Sequence, residues 1–191
     1  SVLFLADGVT CMPVGFHRQW TAVSENQNSF LFSGVTNDCS ISVKSRSMII
    51  SWLQIMVPAW NLKGLNSLDF IESEQGLAVL EINPRPSASM QLYSPELLAQ
   101  HLLACRLKLP EVSVKNPRPQ ALKILYASRT ILIANEFEWP ETCRDLPKSG
   151  SIIRPGQPIC SIIAADDNRQ QLLIKLQSIE QNLFHKLHDG I

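Results

Sequence analysis

The sequence predicts an α+β fold: an antiparallel sheet with packed helices, a small strand-rich C-terminal extension, and a terminal helix. Three features of the chain point to it. Short apolar runs at residues 2–6, 13–17 and 29–35 are separated by turn formers such as Asp7-Gly8, as in an antiparallel sheet. The hydrophobic period then becomes helical over residues 42–57. Beyond it, apolar runs at residues 64–71 and 77–83 flank a short polar loop and read as a hairpin.

Composition narrows the function classes. A chain of 191 residues accommodates one domain, or a domain with an extension. With 45% hydrophobic and 18% charged residues it reads as a globular protein. Zero formal net charge gives no bulk attraction to nucleic acid or to a membrane surface, so neither partner is expected. The apolar run at 48–60 is interrupted by Ser51, Gln54 and Pro58, and is too short and polar to span a bilayer. Cys11, Cys39, Cys105, Cys143 and Cys160 form no CxxC pair, which suits reduced thiols and a cytoplasmic location. His17, His101, His185 and His188 show no metal-site spacing. No signal peptide is visible. Ser1 opens inside an apparent strand, so the chain is expected to be a piece of a longer one.

In the first helical stretch Val43, Met48, Ile49, Leu53 and Met56 fall mainly on one face, and Pro58 is expected to end it. Lys44 and Arg46 lie elsewhere on the cylinder, where solvent explains them better than phosphate does. In the hairpin, a three-residue loop Glu74-Gln75-Gly76 places Gly76 in a left-handed position. Ser73 then opposes Leu77, Ile71 opposes Val79, and Asp69 opposes Glu81. Two facing carboxylates repel unless a cation lies between them. Alternation puts Glu81, Asn83 and Arg85 on one face. The residues therefore predict an Asp69/Glu81/Asn83 oxygen cluster suited to Mg²⁺ (or Mn²⁺), with Arg85 beside it for phosphate. The plainer alternative points both carboxylates into water. Against it, Ile71 and Val79 share the face and make it semi-buried, where carboxylates need partners.

A second helix is expected from Ser94-Pro95, with Leu97, Leu98, His101, Leu102 and Cys105 as its apolar side and His101 as a packing residue. Residues 110–120, with three prolines, read as a connector. Strands follow at 122–126, 130–134, 151–154 and 158–163. A last helix over 167–187 carries the stripe Leu172, Leu173, Leu176, Ile179, Leu183 and Leu187. The expected division is 1–109 as the catalytic part and 110–191 as a β-rich extension ending in the helix.

Asn66-Ser67-Leu68-Asp69-Phe70-Ile71, the hairpin, and Leu80-Glu81-Ile82-Asn83-Pro84-Arg85-Pro86-Ser87 together resemble the C-terminal catalytic subdomain of ATP-grasp enzymes. That family includes biotin carboxylase, carbamoyl phosphate synthetase and D-alanine–D-alanine ligase. The likeness covers roughly residues 1–105, and residues 2–8 and 15–20 look like the paired strands that precede the hairpin. It implies that Asp69, Glu81 and Asn83 bind Mg²⁺ bridging ATP phosphates. It implies also that Arg85 contacts the transferred phosphate or a substrate carboxylate, and that His17, Arg18 and Gln19 lie near the nucleotide or substrate. Residues 147–164 are similar to the strand-rich tail of some ATP-grasp proteins and to biotinyl carrier domains, without the Met-Lys-Met lysine, and read as structural. A narrower similarity is to short ATP-grasp proteins of tetrahydromethanopterin-linked cofactor biosynthesis.

The implied activity is an ATP- and Mg²⁺-dependent ligase that makes an acyl phosphate from a small carboxylate and joins it to an amine. ATP is the co-substrate, and a homo-oligomer is compatible with the family. The family's phosphate loop, lysines and adenine hinge have no counterpart in these residues. The alternative from another class is therefore a non-catalytic ATP-grasp-like subunit or binding module. A biotin-dependent carboxylase component is a third reading, disfavoured by the absent biotin lysine.

Overall fold

The computed structural model describes residues 1–22, 31–106, 108–110 and 118–189. Contacts divide the chain into two compact units, Ser1–Arg18 with Asn37–Pro117 and Gln19–Thr36 with Arg118–Ile191. Residues 19–36 thus join the second unit, and the division is discontinuous in sequence. The predicted strand at 29–35 and the connector at 110–120 fall partly outside the described residues.

The chain opens with strands β1 (Val2–Asp7), β2 (Cys11–Phe16), β3 (Arg18–Thr21) and β4 (Phe32–Thr36), then helix α1 (Val43–Trp60). The hairpin β5 (Lys63–Ser73) and β6 (Gly76–Asn83), a 3₁₀ turn Ala88–Leu92 and helix α2 (Glu96–Cys105) follow. In the first unit the sheet has the order β2-β1-β5-β6, and each neighbouring pair is antiparallel. Strand alternation sends Val2, Phe4, Ala6 and Leu68 to one face, where α1 delivers Ile49, Leu53 and Val57 at helical spacing. Leu3, Leu5 and Leu65, wholly buried, belong to the opposite face, and α2 packs against β1 and β5.

Helix α1 begins at Ser42, whose Oγ accepts a hydrogen bond from the Ser45 amide at 3.0 Å. Pro58 does not end the helix, as the sequence suggested. The helix runs on to Trp60 and closes at Asn61, at φ 49°. A proline forfeits one hydrogen bond to the preceding turn, but its fixed φ is helical, and the fully buried Val57 beside it anchors the last turn in the core.

The apolar side of α2 also differs from expectation. Leu97 and Ala104 are buried, whereas Leu98 and Leu102 are more than half exposed and Cys105 is exposed. On the buried side the Leu65 amide donates to His101 Nδ1 at 2.8 Å, a contact that favours the 97/101/104 face toward the sheet. Gly64 lets the helix approach. A Cβ there would lie 2.4 Å from His101 Nδ1 and 2.6 Å from Cys105 Sγ, and Gly64 has φ 68°. Gly64→Ala is accordingly expected to lower stability by about 2–4 kcal/mol, from backbone strain plus overpacking, as read by urea denaturation.

The second unit adds β7 (Gln120–Tyr126), β8 (Ile131–Leu132), β9 (Cys143–Arg144), β10 (Ile152–Ile153), β11 (Pro158–Ala165) and α3 (Arg169–Asp189). Its main sheet has the order β3-β4-β7-β11-β9, with β8 and β10 as a separate pair. Helix α3 buries Leu172, Leu176, Leu183 and Leu187 with Ile162, Leu125 and Cys160, but Leu173 is half exposed and leaves the predicted stripe. Spacings of four, seven and four residues keep the buried four on one side; Leu173 falls about 100° away from Leu172. Lys123 and Glu180 form an ion pair between β7 and α3. No described helix is long and apolar enough to cross a membrane.

Candidate functional site

The hairpin sets the site, and its register contains an irregularity that matters. Ser73 pairs with Gly76, Glu72 with Leu77, Ile71 with Ala78 and Phe70 with Val79. The expected Ser73–Leu77 and Ile71–Val79 pairs are therefore one residue out, because the loop is the two residues Glu74-Gln75 and Gly76 already pairs at φ 120°. The register then shifts between Phe70 and Asp69, with Leu80 as the extra residue. Asp69 consequently does face Glu81, Leu68 faces Ile82, and Ser67 faces Asn83. The bulge also takes Val79 away from the carboxylates, and Ile71 and Val79 are both about half exposed, so they do not supply the semi-buried setting expected of them.

Leu68 and Ile82 belong to the core beneath α1, so Asp69, Glu81 and Asn83 project from the opposite face. Asn83 Nδ2 donates to Glu81 Oε1 at 3.1 Å and to Asp69 Oδ2 at 3.4 Å. Arg85 Nη2 donates to Asn83 Oδ1 at 3.4 Å. The four predicted residues are thus brought together, with Asp69 and Asn83 half-buried and Glu81 and Arg85 exposed. Among the described residues no three His, Cys, Asp or Glu side chains form a metal cluster, so the candidate set is two carboxylates and an amide. That set fits Mg²⁺. It consists of hard oxygen donors, and Mg²⁺ characteristically takes one or two protein carboxylates and fills its other positions with water and phosphate. The Asn83 amide donates to both carboxylates and, turned over, presents an oxygen in the same place.

His17 is placed differently from its neighbours. It is 2% exposed, and its Nε2 lies 2.8 Å from the Tyr93 hydroxyl, with the rings edge to face. Arg18 and Gln19 are exposed. Burial pushes the His17 imidazole down to about 3 and keeps it neutral. Burial likewise raises the Tyr93 phenol. Because the unfolded chain binds a proton near 6.5 and the folded one does not, His17 destabilises the fold as pH falls from 6.5 toward 3. Acidification from pH 7 to 5 is expected to remove about 2 kcal/mol through this group. Thermal melts of His17→Gln should show a correspondingly shallower pH slope.

His17 shares a level of the sheet with the carboxylates. Val2 pairs with both Phe16 and Leu68, so Ser1, one residue back, lies between His17 and Asp69. Ser1 and His17 exchange backbone hydrogen bonds of 2.9 and 2.8 Å. A row therefore runs His17, Ser1, Asp69, Glu81 across four strands. Tyr93 went unnoticed in the sequence, since nothing local signals a contact 76 residues away.

Residues 1–89 match the ATP-grasp domain model. Over those residues the chain is similar to the ATP-grasp domain. The metal-type carboxylates and Arg85 all lie within that stretch. An uncharacterized protein of Methanocaldococcus jannaschii is 25% identical over 112 residues, 59% of this chain and 29% of that protein. The phosphoribosylamine–glycine ligase of Thermotoga maritima superposes with a TM-score of 0.69 at 12% identity, covering 94% of this chain and 51% of the ligase. The biotin carboxylase domain of Hydrogenobacter thermophilus 2-oxoglutarate carboxylase, in complex with MgADP, ADP and bicarbonate, gives 0.67 at 12% identity, covering 93% and 43%. The structural likenesses show the fold, and the chain spans 29% of the first of these three proteins, 51% of the second and 43% of the third.

Proposed function

We propose that this chain supplies the metal- and phosphate-binding part of an ATP-dependent ligase that activates a carboxylate as its acyl phosphate. The observation that supports this most is the pairing of Asp69 with Glu81 across the hairpin, with Asn83 and Arg85 adjoining. Residues 1–109 would form the catalytic subdomain and 110–191 its β-rich extension.

Asp69 and Glu81 hold carboxylate oxygens around the Asn83 amide on an antiparallel pair, so no loop need be ordered to assemble them. When bound there, Mg²⁺ (or Mn²⁺) neutralises the charge of the ATP phosphates. Arg85, exposed and offering a planar fork of donors, pairs with oxygens of the phosphoryl group in flight. The substrate carboxylate oxygen attacks the γ-phosphorus and ADP leaves. An amine then attacks the acyl carbon, loses a proton, and expels inorganic phosphate. Arg18 and Gln19, exposed beside the buried His17, are the members of that triplet able to touch nucleotide or substrate directly. The expected setting is the cytoplasm, with a small carboxylate, an amine and ATP as partners and a homo-oligomer compatible with them.

Mg²⁺-dependent nucleotide turnover by the full-length protein, compared with its Asp69→Ala and Glu81→Ala variants, tests the proposal. Turnover lost with the fold retained supports it. Turnover unaffected by both would overturn it in favour of a non-catalytic ATP-grasp-like module.

A further inference from the structure

The segment that carries Arg85 is fastened at both edges of the sheet. Its start is Asn83, the end of edge strand β6, and its end is Tyr93, whose hydroxyl meets His17 just beyond the opposite edge strand β2. Residues 84–92 therefore cross the carboxylate-bearing side of a four-stranded sheet, a span of about 14 Å. Ser89, Leu92 and Tyr93 are buried along the way, so the crossing lies against the protein. Gly15 is shaped for its far anchor: a Cβ there would fall 1.9 Å from the Tyr93 oxygen. The His17 ring has one contact polar atom, Nε2 on Tyr93, while its buried Nδ1 has no partner. A buried histidine left half-satisfied is costly, and in return the chain obtains a fixed acceptor or donor for one tyrosine.

We infer that Tyr93, seated on His17 and Gly15, is a positioning residue that holds the 84–92 strap and so keeps Arg85 beside Asn83 and the two carboxylates. This rests on the ligase reading for what Arg85 does, but not for the mechanical tie itself. The near anchor is local: the Arg85 amide donates to the Asn83 carbonyl at 2.8 Å, a tight turn that does not by itself hold the residues beyond it. Tyr93, together with buried Ser89 and Leu92, holds them against the sheet. His17 thus acts through Tyr93 and not by touching nucleotide.

Two measurements on the full-length protein separate the tie from the reading. Tyr93→Phe keeps the ring and removes the hydroxyl. Hydrogen exchange at the Arg85 and Met90 amides is expected to quicken about tenfold or more, with β1 and β5 amides unchanged. Gly15→Ala, which displaces the hydroxyl, should do the same. Unchanged strap exchange in both variants would overturn the inference, whatever the activity. In turnover assays, Tyr93→Phe is expected to lower kcat about tenfold without moving the Mg²⁺ concentration for half-saturation. In an Arg85→Ala background it should have no further effect; a full additional tenfold loss there would show that Tyr93 does not act through Arg85. Absence of turnover in the unmodified protein counts against the ligase reading alone, and strap exchange then decides the tie by itself.

Discussion

Replacing Asp69 or Glu81 with alanine is expected to cut Mg²⁺-dependent nucleotide turnover by about a hundredfold or more while leaving the protein folded. Both residues sit where the bulge at Leu80 returns the hairpin to facing pairs, so each variant removes half of a two-carboxylate set. Neither is part of the apolar core, and without a cation the two charges repel across the strand pair. Circular dichroism and thermal melting should therefore show a fold retained in both variants, in contrast to the lost rate. The isosteric Asp69→Asn and Glu81→Gln variants should behave like the alanines in turnover, because an uncharged oxygen compensates phosphate-bound Mg²⁺ poorly. A rate loss accompanied by unfolding would instead assign these residues to structure.

Arg85→Ala is expected to lower turnover about a thousandfold, the range seen when an arginine that neutralises a transferring phosphoryl group is removed. Arg85→Lys should recover little of it, since an ammonium cannot reproduce two parallel donors. The guanidinium is exposed and reaches Asn83 by a 3.4 Å hydrogen bond, so its loss should not disturb the hairpin. The effect belongs in kcat, with nucleotide binding in the presence of Mg²⁺ little changed. Stopped-flow measurement of the phosphoryl step against equilibrium nucleotide titration would separate the two, and full activity in Arg85→Lys would exclude a forked contact.

Much of this site was legible because its information is local. Glu81, Asn83 and Arg85 share a face through strand alternation alone, and Gly76 marks the turn that returns β6 upon β5. Even so, the correct Asp69–Glu81 pair was reached through an inexact register: a loop counted one residue too long was offset by a bulge that leaves no sequence signal at Leu80. Helix α2 shows the same limit. Its apolar residues nearly encircle it, and which side is buried, Leu97 and Ala104 and not Leu98 and Leu102, follows from packing on the sheet together with the hydrogen bond from the Leu65 amide to His101.

The sequence by itself determined the α+β class, the hairpin, and the identity of the four chemical groups on it, because periodicity and turn chemistry act within a few residues. Tertiary structure alone decided that residues 19–36 join the second unit, that α1 continues through Pro58, and that His17 is buried against Tyr93. Those outcomes depend on which distant groups come to share a face, and desolvation and hydrogen-bond partners exist only once the chain has closed upon itself.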